Sequence, residues 1–148
     1  RRAEAAAEHG GRDARGARTR IVGVNAAGAD VFARSWRGKA RLTADRVDTF
    51  AEGIATRTTF DLTFAILEAS LDDVVTVTEE ALREALLAAM TRTHNLVEGA
   101  GAASLAAARL HGQLHPGSRV VCVITGGNAD LRTLSGLPGL AAISGSRA

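Results

Sequence analysis

With 148 residues, 46% hydrophobic side chains and a formal charge of +2, the chain has the size and composition of one globular domain and can bury a core. Its single cysteine excludes a disulfide scaffold, and its small net charge excludes a strongly basic or acidic binding surface. Aromatic side chains make up only 3% of it, and much of the apolar content is alanine, so the core is expected to be shallow.

Six arginines fall between Arg1 and Arg20. They are interleaved with Glu4, Glu8 and Asp13 and have no aromatic neighbour to stack on a base, which favours a solvated terminal segment over nucleic-acid binding. Alanines in Arg1–His9 suit a helix, but Gly10, Gly11 and Gly16 interrupt it, so residues 1–19 are expected to be poorly structured or partly helical. No apolar run has membrane-spanning length and no signal-peptide pattern is present. With Cys122 placed inside an apolar run, the expectation is a soluble protein of a reducing cytoplasm, with no membrane partner.

Arg20–Asn25, RIVGVN, reads as the first buried strand. Asp30–Arg37 follows, with Val31, Phe32 and Trp36 on one helical face between Gly28 and Gly38; Trp36 is read as packing. Lys39–Asp48 is a polar connection, and Thr49–Thr56 holds Gly53, which suits either a turn or a close approach of the main chain to a flat ring. Phe60–Ser70 carries Leu62, Ile66 and Leu67 at helical spacing. Val74–Thr78 is the second strand, and Thr78 with Glu79 and Glu80 marks a helix start. Leu82, Leu86, Leu87 and Met90 then form an apolar stripe that ends near His94, whose neighbours offer no catalytic partner.

Glu98–Leu110 reads as a helix whose first turns are nearly free of side chains. Gly99 and Gly101 each cost such a helix about 1 kcal/mol, which calls for a packing reason. After a loop at His111–Ser118 comes Val120–Ile124, a β-branched run expected to be a strand buried on both faces. Gly126 and Gly127 end it, with Thr125 and Asn128 as polar groups. At the carboxyl end of a parallel strand such glycines suit a binding loop, although by themselves they more often mark a plain turn. Beyond Leu131 the chain turns glycine- and alanine-rich, and residues 135–148 read as a tail. No internal repeat is present.

Taken together and in order, TFAEGIATR, HNLVEGAGAA and ITGGNADL resemble the second half of the large domain of pyridoxal-phosphate threonine and serine dehydratases, ammonia-lyases of fold type II. The resemblance covers roughly residues 20–134. It implies a three-layer α/β (αβα) architecture, a partial large domain whose mainly parallel sheet is built from RIVGVN, VVTVT and RVVCVI, with helices on both faces. It also implies pyridoxal 5'-phosphate as cofactor, threonine or serine as substrate, and a homo-oligomer for the full-length enzyme. The reaction implied is α,β-elimination of a β-hydroxy amino acid to a 2-oxo acid and ammonia. Cofactor-binding positions carried over by the resemblance are Thr125, Gly126, Gly53 and Glu98, with the Thr125 hydroxyl facing the pyridine nitrogen and Gly53 and Glu98 beside the ring. In serine racemases of this family two acids hold a divalent cation; Asn25 and Val31 stand at those positions here, so no metal site is expected.

Two parts of that chemistry are not represented. Lys39 is the only lysine, and its surroundings do not resemble the family's Schiff-base lysine motif; no glycine-rich run resembles the phosphate loop. The chain therefore reads as a carboxyl-terminal part of a dehydratase, without a catalytic residue of its own and inactive alone. The alternatives are a non-catalytic remnant serving as a binding or interaction module and, with less support, a small nucleotide-binding α/β domain, for which no strand is followed by a full phosphate fingerprint.

Overall fold

A computed structural model describes residues 19–111, 118–137 and 139–140. The segment expected to be poorly structured thus lies almost wholly outside the described residues, as does most of the tail.

The centre is a two-stranded parallel ladder of β1 (Val22–Ala26) and β2 (Asp73–Val77), in register from Val22 opposite Asp73 to Ala26 opposite Val77. Parallel strands need a crossover, and this one carries α1 (Val31–Gly38) and α2 (Asp61–Ser70). Beyond β2 come α3 (Glu79–Ala88), a single π turn at Ala89–Thr93, α4 (Ala103–His111) and the short α5 (Leu131–Ser135).

Side chains alternate across the ladder as the pleat requires. Val24, Ala26, Val75 and Val77 face the main core, where they meet Leu82 and Leu86 of α3, Val97, and Ala103, Ala106 and Ala107 of α4. Burying Leu82 and Leu86, both wholly inaccessible, contributes on the order of 1.5–3 kcal/mol each. The alanines bring α4 close to the sheet but add little area, as the composition led one to expect. Val31, Ala33 and Ser35 of α1, Phe64 of α2 and Val74 are buried outside that cluster, and the Phe32 and Phe64 rings meet edge to face at 6.1 Å. The fold is therefore a small parallel sheet flanked by helices, as expected for part of a fold-type-II large domain.

Two expectations need correction. The run read as a buried third strand forms no ladder among the described residues, and Val120, Val121, Val123 and Ile124 are 52%, 87%, 65% and 46% exposed. A β-branched run favours an extended backbone, but a strand is made by the hydrogen-bonding groups of a neighbour, and no described strand lies beside it. It is held instead along α4, where the Ser104 hydroxyl donates to the Val123 carbonyl at 2.9 Å and the Cys122 thiol lies 3.7 Å from the Ser104 carbonyl. Burial pushes the Cys122 thiol above its ordinary pKa.

The helix that the spacing of Leu62, Ile66 and Leu67 suggested is present as α2, with Phe64 its buried residue and those three side chains exposed. Finally, regular helix begins at Ala103 rather than Glu98. The glycine-rich residues before it form turns, with Ala102 donating to the Glu98 carbonyl at 3.0 Å and Ala103 to the Ala100 carbonyl at 3.2 Å. Two glycines within three residues leave the backbone free to follow its neighbours instead of the helix.

Candidate functional site

Three loops meet at one end of this framework. The first descends from the α1–α2 crossover: Thr49 Oγ1 accepts from Ala51 N at 3.1 Å, the Phe50 amide donates to Glu79 Oε2 at 3.0 Å, and Glu52–Ile54 closes into a 3-10 turn. The second is the glycine-rich approach to α4. The third follows Ile124 and ends at Asp130, which caps α5 by accepting from the Thr133 amide at 2.8 Å and sits 3.2 Å from the Thr133 hydroxyl. That backbone hydrogen bond is the main reason the Asp130 carboxyl is held below the ordinary carboxylate range.

The three are joined by contacts only glycine permits. The Glu98 amide donates to the Gly126 carbonyl at 3.1 Å, and a Cβ on Gly126 would lie 2.8 Å from the Glu98 carboxyl carbon, inside contact distance. At Gly99 a Cβ would lie 2.8 Å from the Phe50 ring and 2.9 Å from Ala51 Cα. These approaches are the packing reason that the helix-weakening glycines called for.

Between the loops lies a cavity of about 360 Å³ whose walls include Phe50, Glu52, Gly53, Glu98, Asn128 and Asp130, with Thr133 at one side. Gly53 and Glu98 are thus brought together on its wall, and a Cβ on Gly53 would stand 2.9 Å from the Ala100 methyl and 3.7 Å from Glu98 Oε1. Gly126 stands directly behind the Glu98 carboxyl. Thr125 precedes it but does not line the cavity, and is exposed. Asn128 lines it. Phe50, Asp130 and Thr133 were not anticipated, although Asp130 and Thr133 have the spacing of a helix cap and could have been read from it.

Chemically, the walls offer carboxylate and amide acceptors, and among the described residues no Lys, Arg or His lines the cavity. Bare backbone at Gly53 on the wall beside Glu98 suits the ring of a planar heteroaromatic group, since a Cβ there would stand 3.7 Å from Glu98 Oε1. The lining residues provide no cation for a phosphate. Lys39 is not among the lining residues: its Nζ lies 4.7 Å from the Trp36 ring centre and 3.8 Å from Glu68 Oε1. Among the described residues no cluster of three or more His, Cys, Asp or Glu side chains could hold a metal ion, and no helix is long and apolar enough to cross a membrane.

Comparison with known proteins places this geometry in a family. The family described as pyridoxal-phosphate dependent enzyme matches residues 4–126. The L-threonine ammonia-lyase of Geobacter sulfurreducens is 38% identical over 116 residues, which are 78% of this chain and 29% of that protein. Among solved structures, the processed form of threonine deaminase isoform 2 from Solanum lycopersicum matches with a TM-score of 0.76 and 28% identity, over 84% of this chain and 35% of that one. Maize serine racemase matches with a TM-score of 0.71 and 30% identity, over 78% of this chain and 36% of that one. The chain belongs to the pyridoxal-phosphate dependent enzymes, in their fold-type-II, threonine/serine dehydratase-like group. It spans less than a third of the length of the curated relatives it matches.

Proposed function

We propose that this chain is the carboxyl-terminal part of the large domain of a threonine or serine ammonia-lyase, occupying residues 20–134, and that it supplies the ring-facing wall of the cofactor site. The observation that carries this reading is the convergence of the Gly53, Glu98 and Gly126 loops on one cavity, with glycines where a ring would need the main chain close. Bound there, pyridoxal phosphate would supply the electron sink for loss of an α-proton and of a β-hydroxyl from threonine or serine, with a 2-oxo acid and ammonia as products. The chain's own residues bind and orient. Gly53 leaves room for the ring, Gly126 lets the main chain pass behind the Glu98 carboxyl, Glu98 and Asn128 offer polar groups at the ring's edge, and Thr125, next to Gly126, carries a neutral hydroxyl that would have to turn into the cavity to donate to an unprotonated ring nitrogen. Threonine at that position leaves the nitrogen less charged than an aspartate would, a modest electron sink that suits loss of the α-proton with elimination of a β-hydroxyl.

The phosphate grip and the lysine that carries the cofactor are assigned to other parts of the enzyme, because among the described residues no cation lines the cavity and the single lysine is engaged by Trp36 and Glu68. The isolated chain is accordingly inactive; the complete enzyme is a cytoplasmic homo-oligomer. The same engaged lysine is what a non-catalytic binding remnant would show, and that reading predicts no preference for the cofactor ring.

Titration of the purified chain with pyridoxal 5'-phosphate, followed by absorbance before and after borohydride reduction, separates the two. Saturable binding that leaves no covalent label is expected. Absence of saturable binding overturns the ring-wall reading in favour of the remnant, and a reduced label on Lys39 overturns the account of the lysine.

A further inference from the structure

We propose that Glu79 and Arg83, on the first turns of α3 and outside the cavity, are positioning residues that hold Phe50 as a fixed wall of it. The inference rests on the reading of the cavity as a ring site. Phe50 lines the cavity, and its placement is determined from three directions. Its amide donates to Glu79 Oε2 at 3.0 Å. The Arg83 guanidinium carbon stands 4.8 Å from the centre of its ring, within reach of a cation–π contact. Its far edge lies so close to Gly99 that a Cβ there would come within 2.8 Å of Cε2. The ring is therefore clamped between a cation on α3 and the bare backbone of the loop that carries Glu98.

Glu79 is not needed to start α3. Thr78 already caps the helix by accepting from the Ala81 amide at 3.2 Å, and Glu80 also places negative charge in the first turn. The other oxygen of Glu79, Oε1, is buried without a hydrogen-bond partner among the described residues. A carboxylate placed only for its charge would be better left in water than half-satisfied in a protein interior. Its bond to the Phe50 amide is instead a tie between the helix and the loop that presents Gly53, so the width of the slot between Phe50 and Glu98 is set from α3.

The test uses two substitutions that separate reach from charge. Glu79→Gln keeps an oxygen at the same distance and removes the charge; Glu79→Asp keeps the charge at the helix start and withdraws the oxygen by one methylene. Two readouts are taken on the full chain: amide hydrogen exchange at Phe50 and Ala51, and affinity for pyridoxal 5'-phosphate as probe. Glu79→Asp is expected to speed exchange at Phe50 by about tenfold and to weaken the probe by a similar factor, whereas Glu79→Gln stays within about threefold of wild type in both. Arg83→Met, which keeps the aliphatic stem, should weaken the probe by about threefold without changing Phe50 exchange.

The reverse order, with Asp retained and Gln lost, overturns the inference, because it is the signature of a helix-terminus charge alone. Uniform acceleration across α3 and α4 in Glu79→Asp also overturns it, as a loss of global stability. If wild type does not bind the probe, the ring-site reading fails, and the exchange pattern alone still decides whether Glu79 positions Phe50.

Discussion

Two stretches of this chain carry nearly the same local signal. Val74–Val77 (VVTV), at the heart of β2, and Val120–Ile124 (VVCVI) are both short runs dominated by β-branched residues, and each stands where the dehydratase-like pattern has a strand. In the first, Val74 and Val77 are each 1% exposed; in the second, Val121 is 87% exposed. The first has β1 at its side and helices over its faces, whereas the second has only α4 and the Ser104 hydroxyl. The difference teaches that a β-branched run specifies a backbone shape, and that burial and pairing belong to whatever lies next to it.

The largest effect should come from opposing the two environments directly. Leu86→Ala, in the core that β2 shares with α3 and α4, is expected to cost about 2–5 kcal/mol, because it leaves a cavity among alanines that have no side chains with which to fill it. Val121→Lys should change stability by no more than about 0.5 kcal/mol. It should, however, reduce self-association, since Val120, Val121, Val123 and Ile124 present an apolar edge that invites strand pairing between copies. Urea denaturation measures the first pair of values and sedimentation velocity the second. Equal destabilisation by both variants would mean that Val120–Ile124 is buried in solution after all, and a monomeric wild type at high concentration would remove the edge from the argument.

The same contrast explains how far the sequence could be read. β1 and β2 were legible to within two residues at either end, because hydrophobic runs bounded by polar residues coincided with real pairing. α3 was legible for a stronger reason: Thr78 performs the capping its position implies, and Leu82 and Leu86 occupy the buried face. On α2 the same periodicity gave the helix but not its covered side, since Leu62 and Ile66 keep helical spacing yet are exposed while Phe64 meets Phe32 of α1. Spacing reports which residues share a face, not whether anything covers that face. The cavity was visible where glycine is costly, at Gly53, Gly99 and Gly126. Phe50 was not, because its place depends on Glu79 and Arg83, some thirty residues away, and no local pattern records such a tie.

A second, smaller effect sharpens the comparison at the site. Gly126 ends the exposed run but is packed on the Glu98 carboxyl, so the unpaired arm finishes in a well-determined contact. Gly126→Ala should turn the Glu98 side chain aside, and because only the far end of that flexible side chain has to move, the cost should be no more than about 1 kcal/mol. The same substitution should displace pyridoxal 5'-phosphate if the cavity takes the ring. Combining it with Glu98→Ala should recover most of the stability and none of the ring-edge polarity. Thermal unfolding and probe titration of the single and double variants follow the two consequences separately, and a Gly126→Ala protein as stable as wild type would show that the loop and Glu98 move freely past each other.

The smallest effect concerns the far end of the same loop, where the chain regains regular structure at α5. Asp130 accepts from the Thr133 amide, which lowers its folded-state pKa below the ordinary 3.8. A carboxyl whose folded pKa is depressed binds protons more readily when unfolded. The stability it contributes is therefore fully present above 3.8 and is lost as the pH falls through the lower, folded value. The group is fully exposed, so solvent screening keeps this contribution small. Asp130→Asn retains an oxygen able to cap the helix while removing the charge that titrates. Its urea midpoint should lie close to that of wild type above pH 5 or so and fall less steeply towards acid. Parallel acid profiles for the two proteins would assign the acid sensitivity to other carboxylates and leave the α5 cap as a neutral hydrogen bond.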